Sequence, residues 1–415
     1  MRSALLIVLA LADESSAARI VDRLSVYPRI DRRDARQPWA ASAPSGPLLS
    51  ILPAGASIPG GECSGTAVTA VTGQSLVFAR SGAALCQKSD GIWVSVGNGQ
   101  MRASSRPGFP ALQLESAATN YVYHSRDLSK HDWTKTNASC SHNATGIDGS
   151  SNSASTCSAS SSSATVYQST ASPGAGTLSV FIKRVSGTGT PIGVRGSSSV
   201  FFNSSNCRNI LTDAPADISS NAFVRCQFEG YDSNPQVGVI FANSDDSFIF
   251  DAWQDEAYSS RETPTSPIFT QGSAQTRSAD RLSVLTPVGL VDATGCVAAR
   301  AWKTATISGN GDARVFSYGA SARTYIPSNG VAFTDGGNFA IKYGSYTATS
   351  VDLISSWATG IISVAPNGLT PATAGYSGTL LGESVYIGGA SDGSGGFIGF
   401  LGAIRMDSTP VGCAL

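Results

Sequence analysis

The sequence predicts an all-β protein: tandem β-sandwich or jelly-roll domains preceded by an extended N-terminal arm and a small β element. Three observations carry that expectation. Charged residues make up only 14% of the 415-residue chain, against a usual value of about 25%, so Ser, Thr, Asn and Gly must build the solvated surface. Short apolar or alternating runs recur between Gly, Ser, Asn and Pro turns, which is the period and punctuation of strands. The eight cysteines fall in chain-order couples, Cys63 with Cys86, Cys140 with Cys157, Cys207 with Cys226 and Cys296 with Cys413.

The length is too great for one ordinary domain, so two or three are expected. The net charge is −1, and the cluster Arg29, Arg32, Arg33 and Arg36 is interleaved with Asp31 and Asp34. No basic stripe exists to neutralise phosphates, so nucleic acid is not an expected partner. No run reaches the ~18 apolar residues that span a bilayer. None of the cysteines has metal-site CxxC spacing. Spacing alone leaves their connectivity open, and eight buried thiols in a reducing compartment are the plain alternative. Four local disulfides are the preferred reading, which requires an oxidising space or a particle that matures outside the cytosol.

Residues 1–60 are read as the arm. Met1-Arg2 followed by ALLIVLALA has the n-region and apolar core of a signal peptide, while Asp13 and Glu14 straight after it fit an anchoring segment instead. Five prolines between Pro38 and Pro59 forbid a long helix, so this stretch should lie extended against another surface. Residues 61–111 form the small element, with strands at Ser75–Arg80 and Ile92–Val96 and turns at Ser89-Asp90-Gly91 and Asn98-Gly99. Residues 112–284 form a jelly roll with strands at Ala164–Tyr167, Gly176–Arg184, Ile192–Arg195, Ser199–Asn203, Ala222–Gly230, Gly238–Ala242 and Asp246–Trp253. The Ser-rich tract Ser150–Ser163 reads as a surface loop pinned by Cys157. Residues 285–415 form a further sandwich, with strands at Gly295–Trp302, Ala313–Tyr318, Asn338–Tyr343, Ala348–Leu353, Trp357–Val364, Thr379–Ile387 and Phe397–Met406.

Two runs carry a resemblance. LQLESAATNYVYHSRDLSKHDWTKTN (Leu112–Asn137) has a polar lead-in, an aromatic pair, a charged turn and a Trp opening a strand. Phe250–Val284 has a strand ending at Trp253, an acidic-aromatic loop, the Pro264/Pro267 turn and TRSAD. In that order they resemble the start and end of a carbohydrate-binding-module-like jelly roll found in tail-fibre and minor structural proteins of tailed bacteriophages and in some secreted bacterial proteins. Tyr121 stands where that family commonly has Leu. Near the C-terminus, Phe400, Leu401, Ile404 and Arg405 resemble the closing strand of concanavalin-like (laminin-G-like) sandwiches.

The candidate sites divide by chemistry. Asp245, Asp246, Asp251, Asp255 and Glu256 cluster around one strand and its flanking turns. A solvated strand edge is the plain reading of such a run, a structural Ca²⁺ held by Asp245 and Asp246 is the second, and a glycosidase pair is the third. No cofactor is otherwise expected. His124, His131 and His142 lack paired spacing, and there is no GxSxG elbow or Walker lysine, so the chain is read as a non-enzyme. Sugar rings are bound by exposed aromatics with amide and carboxylate hydrogen bonds. Tyr123 and Tyr258 are the candidate glycan contacts, with Asp251, Gln254 and Asp255 as polar partners, while Trp133 and Trp253 are assigned to the core.

The resemblance implies a structural virion protein: a tail fibre, head fibre or decoration protein. Its arm would contact other virion subunits, its sandwiches would meet a host cell-surface glycan, and it would be a homo-oligomer of the extracellular particle. The alternative is a secreted bacterial surface protein that binds carbohydrate.

Overall fold

A computed structural model of the chain describes residues 49–51, 61–65, 76–105, 110–257, 264–287, 290–303, 313–318, 322–327, 330–343, 350–378, 380–382, 384–389, 399–409 and 413. All of them belong to the unit Pro44–Leu415. The expected arm, apart from residues 49–51, and the candidate contact Tyr258 lie outside the described residues. Every described element is a strand or a turn, and the sheets are antiparallel. No helix among the described residues is long and apolar enough to cross a membrane.

The central sandwich packs two sheets. One runs Cys207–Asn209, Val224–Tyr231, Ala175–Ser186, Ser247–Ala257, Ala154–Ala159, Ala138–Ala144, with Ala118–Asn120 and Gln275–Arg277 added beside the end of Ser247–Ala257. The other runs Ser198–Phe201, Ile192–Arg195, Gln236–Ile240, Thr165–Ser169, Thr134–Thr136. Their inner faces share one core, in which Val166, Val237 and Val239 meet Leu178, Val180 and Phe248. Trp133 and Trp253 are buried there with ring centroids 5.6 Å apart.

The Ser-rich tract corrects the sequence reading. Ala154–Ala159 is an interior strand of the larger sheet, not a loop. Its buried positions are filled by Ala154, Ser155 and Cys157, small residues that give no apolar period to read. Ser155 accepts the Leu128 N–H and donates to the Arg126 carbonyl, so its hydroxyl holds the neighbouring loop.

A second sandwich draws on both sides of the central one. Its larger sheet runs Ala372–Gly375, Ile361–Pro366, Ser350–Ala358, Gly295–Lys303, Gly399–Asp407, Ala111–Leu114, Arg102–Ser104, with Leu49–Ile51 also paired to Gly399–Asp407. The facing sheet runs Leu76–Ala79, Arg281–Leu285, Ser384–Ile387, Ala313–Ser317, Arg323–Ile326, Gly330–Thr334, Phe339–Tyr343. Met101, Leu112, Leu114, Leu282 and Val284 are therefore part of the same core as Val297, Phe333 and Ile404. The central sandwich leaves this one after Leu114 and returns to it at Arg281. A single strand expected over Trp357–Val364 is instead a hairpin, with Ala358 opposite Ile361. Gly360, at φ +79°, supplies the left-handed turn that other residues resist.

Of the segment 61–111, only Ala84–Gln87 and Trp93–Val96 pair solely with each other. This hairpin docks on the outer face of the central sandwich's larger sheet. Leu85 and Trp93 pack with Ile147, Phe181 and Ala252, and the Trp93 and Phe181 rings meet edge to face at 6.0 Å.

Where the two sandwiches and the hairpin join, charge is buried. Arg102, fully enclosed, donates to the Leu85 carbonyl at 2.8 Å, to Glu115 at 2.8 Å, to Ser266 and to Asp280. Arg80 donates to Asp280 at 3.0 Å and to the Val96 and Gly97 carbonyls. Glu115 and Asp280 also exchange backbone bonds: the Asp280 N–H donates to the Glu115 carbonyl, and the Glu115 N–H to the Asp280 carboxylate. Burial pushes the Glu115 carboxyl up, but Arg102, Arg277 and the Ser266 hydroxyl more than offset this and hold it well below the usual range.

All eight cysteines are bonded in the expected couples. Cys140–Cys157 and Cys207–Cys226 staple directly opposed residues of neighbouring strands. Cys63–Cys86 ties the hairpin to the chain before it, and Cys296–Cys413 closes a separation of 117 residues. Such bonds persist in oxidising surroundings.

Two outcomes follow. A thiol assay on unfolded, unreduced protein should titrate almost none of the cysteines, and a reading near all of them would refute the pairing. Asp280→Asn should cost about 3–5 kcal/mol in denaturant unfolding, since it leaves enclosed guanidinium groups without their counter-charge.

Candidate functional site

The run Tyr121–Trp133 folds into a tight polar loop at one end of the central sandwich. His124 sits in the left-handed region at φ +50°, and its carbonyl accepts from the Asp127 N–H and the Trp133 indole. Between this loop, the strand Ala138–Ala144, the turn at 152–153 and the segment 269–271 lies a cleft of about 450 Å³. Its walls carry His124, Arg126, Asp127, Lys130, His142, Asn152, Ser153, Phe269, Thr270 and Gln271.

Arg126 is its fixed point. The guanidinium makes paired hydrogen bonds to Asp148 at 2.8 and 2.9 Å and to Asp251 at 2.8 and 3.0 Å. It also lies 4.1 Å over the Phe269 ring. Two bidentate carboxylates and a ring leave it no rotamer freedom. The loop closes over it because residue 146 is glycine: a Cβ there would overlap Arg126, Asp251 and Ser153. Asp251 reaches the site through a β-bulge. Ser179 pairs with Gln254 and Phe181 with Asp251, so the Ser247–Ala257 strand holds one extra residue, and Ala252 adopts φ +50°. The bulge puts Ala252 among the outer-face residues while Trp253 keeps its place in the core.

Around Arg126 carboxylates alternate with basic side chains. Asp127 faces Lys130 at 3.4 Å and His142 at 4.0 Å, and His124 faces Asp132 at 3.3 Å. Burial pushes the Asp148 carboxyl up, but hydrogen bonds from Arg126, Ser150 and Ser153 more than reverse this and hold it at about 2. Burial raises the Asp251 carboxyl, and Arg126 and the Ile147 N–H counter that only in part. Both carboxylates spend their oxygens on Arg126 and neighbouring donors. Beside this fixed group the exposed amides of Asn152 and Gln271 line the cleft with donors and acceptors, which suits a ligand rich in hydroxyls, each able to donate and accept.

The residues singled out from sequence separate in space. Asp251 holds Arg126 from beneath and is itself enclosed. Gln254 points to the opposite end of the strand, accepting from the Ile268 N–H and donating to Glu256. Asp255 turns inward to Arg195 at 2.8 Å and Thr170 at 2.7 Å. Both Arg195 and Asp255 are fully enclosed, and Arg195 also donates to the Gly230 and Gly174 carbonyls. Tyr123 is half-buried, and its backbone N–H and carbonyl are clamped by the Gln168 side chain. Asp246 is enclosed and accepts from the Gly189 and Asn243 N–H groups, whereas Asp245 is exposed. Among the described residues no three His, Cys, Asp or Glu side chains gather to hold a metal ion.

Sequence reasoning did not single out Arg126, Asp148 or Phe269, and it set His142 aside for lack of paired spacing. The charged turn that contains Arg126 was visible, but its carboxylate partners lie 22 and 125 residues away.

No protein-family model matches the sequence, and no curated protein matches it. Among solved structures, the N-terminal CBM22-1-CBM22-2 tandem domain from Paenibacillus barcinonensis Xyn10C is similar over 72% of this chain and 100% of that one. The identity is 11% and the TM-score 0.25, a likeness too slight to carry an argument about the site.

The pH dependence has a defined sign. The folded value of Asp148 lies below its unfolded value of about 3.9. Its contribution to stability is therefore complete above about pH 4 and disappears as the pH falls towards about 2. Asp251, shifted the other way, contributes with the opposite sign. Asp148→Asn should flatten the loss of stability between about pH 4 and 2, measured by urea unfolding at stepped pH; an unchanged slope would remove Asp148 from this role.

Proposed function

We propose that this chain is an extracellular, non-enzymatic adhesion protein whose central sandwich holds a glycan in the Arg126 cleft. The observation that carries this reading is the lining of the cleft: the exposed amides of Asn152 and Gln271 stand beside a guanidinium that Asp148 and Asp251 hold in place. The disulfides fit an extracellular setting. Within that reading we assign the protein to the virion of a tailed bacteriophage, as a tail fibre, head fibre or decoration protein. The resemblance of Leu112–Asn137 and Phe250–Val284 to modules of such proteins supports the assignment. The arm would attach it to other virion subunits, and it would act as a homo-oligomer. A secreted bacterial surface protein would use the same cleft, and co-purification with particles separates the two settings.

The cleft is tested with the full chain on a broad glycan array. His142→Ala combined with Gln271→Ala removes two lining side chains that hold no enclosed carboxylate. It should weaken binding about tenfold or more, a loss of about 1.4 kcal/mol, without moving the melting temperature. Absence of binding to every glycan, or undiminished binding by the variant, would reject the cleft as a glycan site.

A further inference from the structure

Phe269 is shared by two clefts. Besides the Arg126 cleft it lines a second cleft, of about 320 Å³, between the hairpin and the exit of the central sandwich. Ser81–Leu85 and Ser95 form one wall, and Pro267–Phe269 and Gln275–Arg277 the other. The two clefts thus share one side chain, and with about 320 and 450 Å³ between them they offer room for more than one sugar ring.

The second cleft differs from the first in charge. It borders the buried junction, where among the described residues three guanidinium groups (Arg80, Arg102 and Arg277) face two carboxylates, Glu115 and Asp280. Arg277 lines the cleft while 4% exposed. Its Nη2 donates to the Ser116 carbonyl at 2.8 Å, but its Nε and Nη1 make no hydrogen bond. Its contacts with Glu115 at 3.4 Å and with Asp280 at 3.9 Å are ion pairs without a hydrogen bond. Enclosed charge is normally matched and its donors satisfied. Here one positive charge is in excess, and it lies against a cleft. Among the described residues no carboxylate lines this second cleft, whereas the first contains Asp127.

We propose that the second cleft takes the carboxylate-bearing residue of an acidic oligosaccharide, with the adjoining sugar seated in the Arg126 cleft. This rests on the glycan reading above and sharpens it to an acidic chain that spans the hairpin and the central sandwich.

The test uses the full chain on an array of uronate- and sialate-containing oligosaccharides, each beside its carboxyl-reduced counterpart. Binding should be confined to the acidic members and be lost on reduction. Two variants then place negative charge on exposed residues of the second cleft, Ser95→Asp and Gln275→Glu. Each should weaken acidic chains about tenfold and more steeply at low salt, with the melting temperature unchanged. Equal binding of acidic and reduced chains, or no effect of either variant, would overturn this proposal and leave the glycan reading standing. No binding to any member would reject both.

Discussion

The backbone exchange between Glu115 and Asp280, sealed by Arg102, is the constraint on which the rest of the structure depends. At this point the chain leaves the outer sandwich for the central one and, about 165 residues later, comes back. The two passing strands bond each other, and their carboxylates hold the arginines of the small element, Arg80 and Arg102. Ser266, on the return segment, joins through Glu115. Three pieces distant in sequence are thus registered by one charged cluster. A buried ion pair is weak grounds for net stability, but it is strongly directional. Its use here is to set how the hairpin, the central sandwich and the outer sheets meet.

That registration shapes the clefts. The hairpin delivers Leu85 and Trp93 to the outer face of the central sheet, against Ile147 and Ala252. The Trp93 N–H donates to the Ile147 carbonyl, and the Ile147 N–H to Asp251. Asp251 in turn orients Arg126. The floor of the Arg126 cleft is therefore held from the hairpin side, through one strand edge and one bulge. Phe269 joins the same apolar cluster and lines both clefts. Packing, hydrogen bonding and electrostatics converge on a few residues, which leaves the walls stiff and the lining exposed.

The strand Ser247–Ala257 shows why sequence proximity misled. Asp251, Gln254 and Asp255 look like one acidic-amide patch, yet strand alternation with a bulge sends them to three surroundings: the Arg126 cleft, the return segment near Ile268, and the interior facing Arg195. Conversely, Asn120 was read only as part of a family-like Thr-Asn-Tyr step. In the structure its amide is enclosed and saturated, donating to the Trp253 and Ile268 carbonyls and accepting from the Val122 and Asp255 N–H groups. The TRSAD segment likewise takes its place from distant partners, because Arg277 and Asp280 belong to the junction.

The sequence by itself determined the all-β class, most of the apolar strands and the burial of Trp133 and Trp253, and it favoured the cysteine couples without fixing them. Alternation and turn chemistry are local properties, and two of the couples, Cys140–Cys157 and Cys207–Cys226, lie on directly paired strands. Only the tertiary structure decided that Ala154–Ala159 is a strand, that residues before Leu114 and after Arg281 share a core, and that Arg126 is held by Asp148 and Asp251 in one cleft. Each of these depends on partners far apart in the chain. A serine-rich strand has no apolar period to betray it, and an arginine reveals nothing about which distant carboxylates will neutralise it until the fold brings them within hydrogen-bond reach.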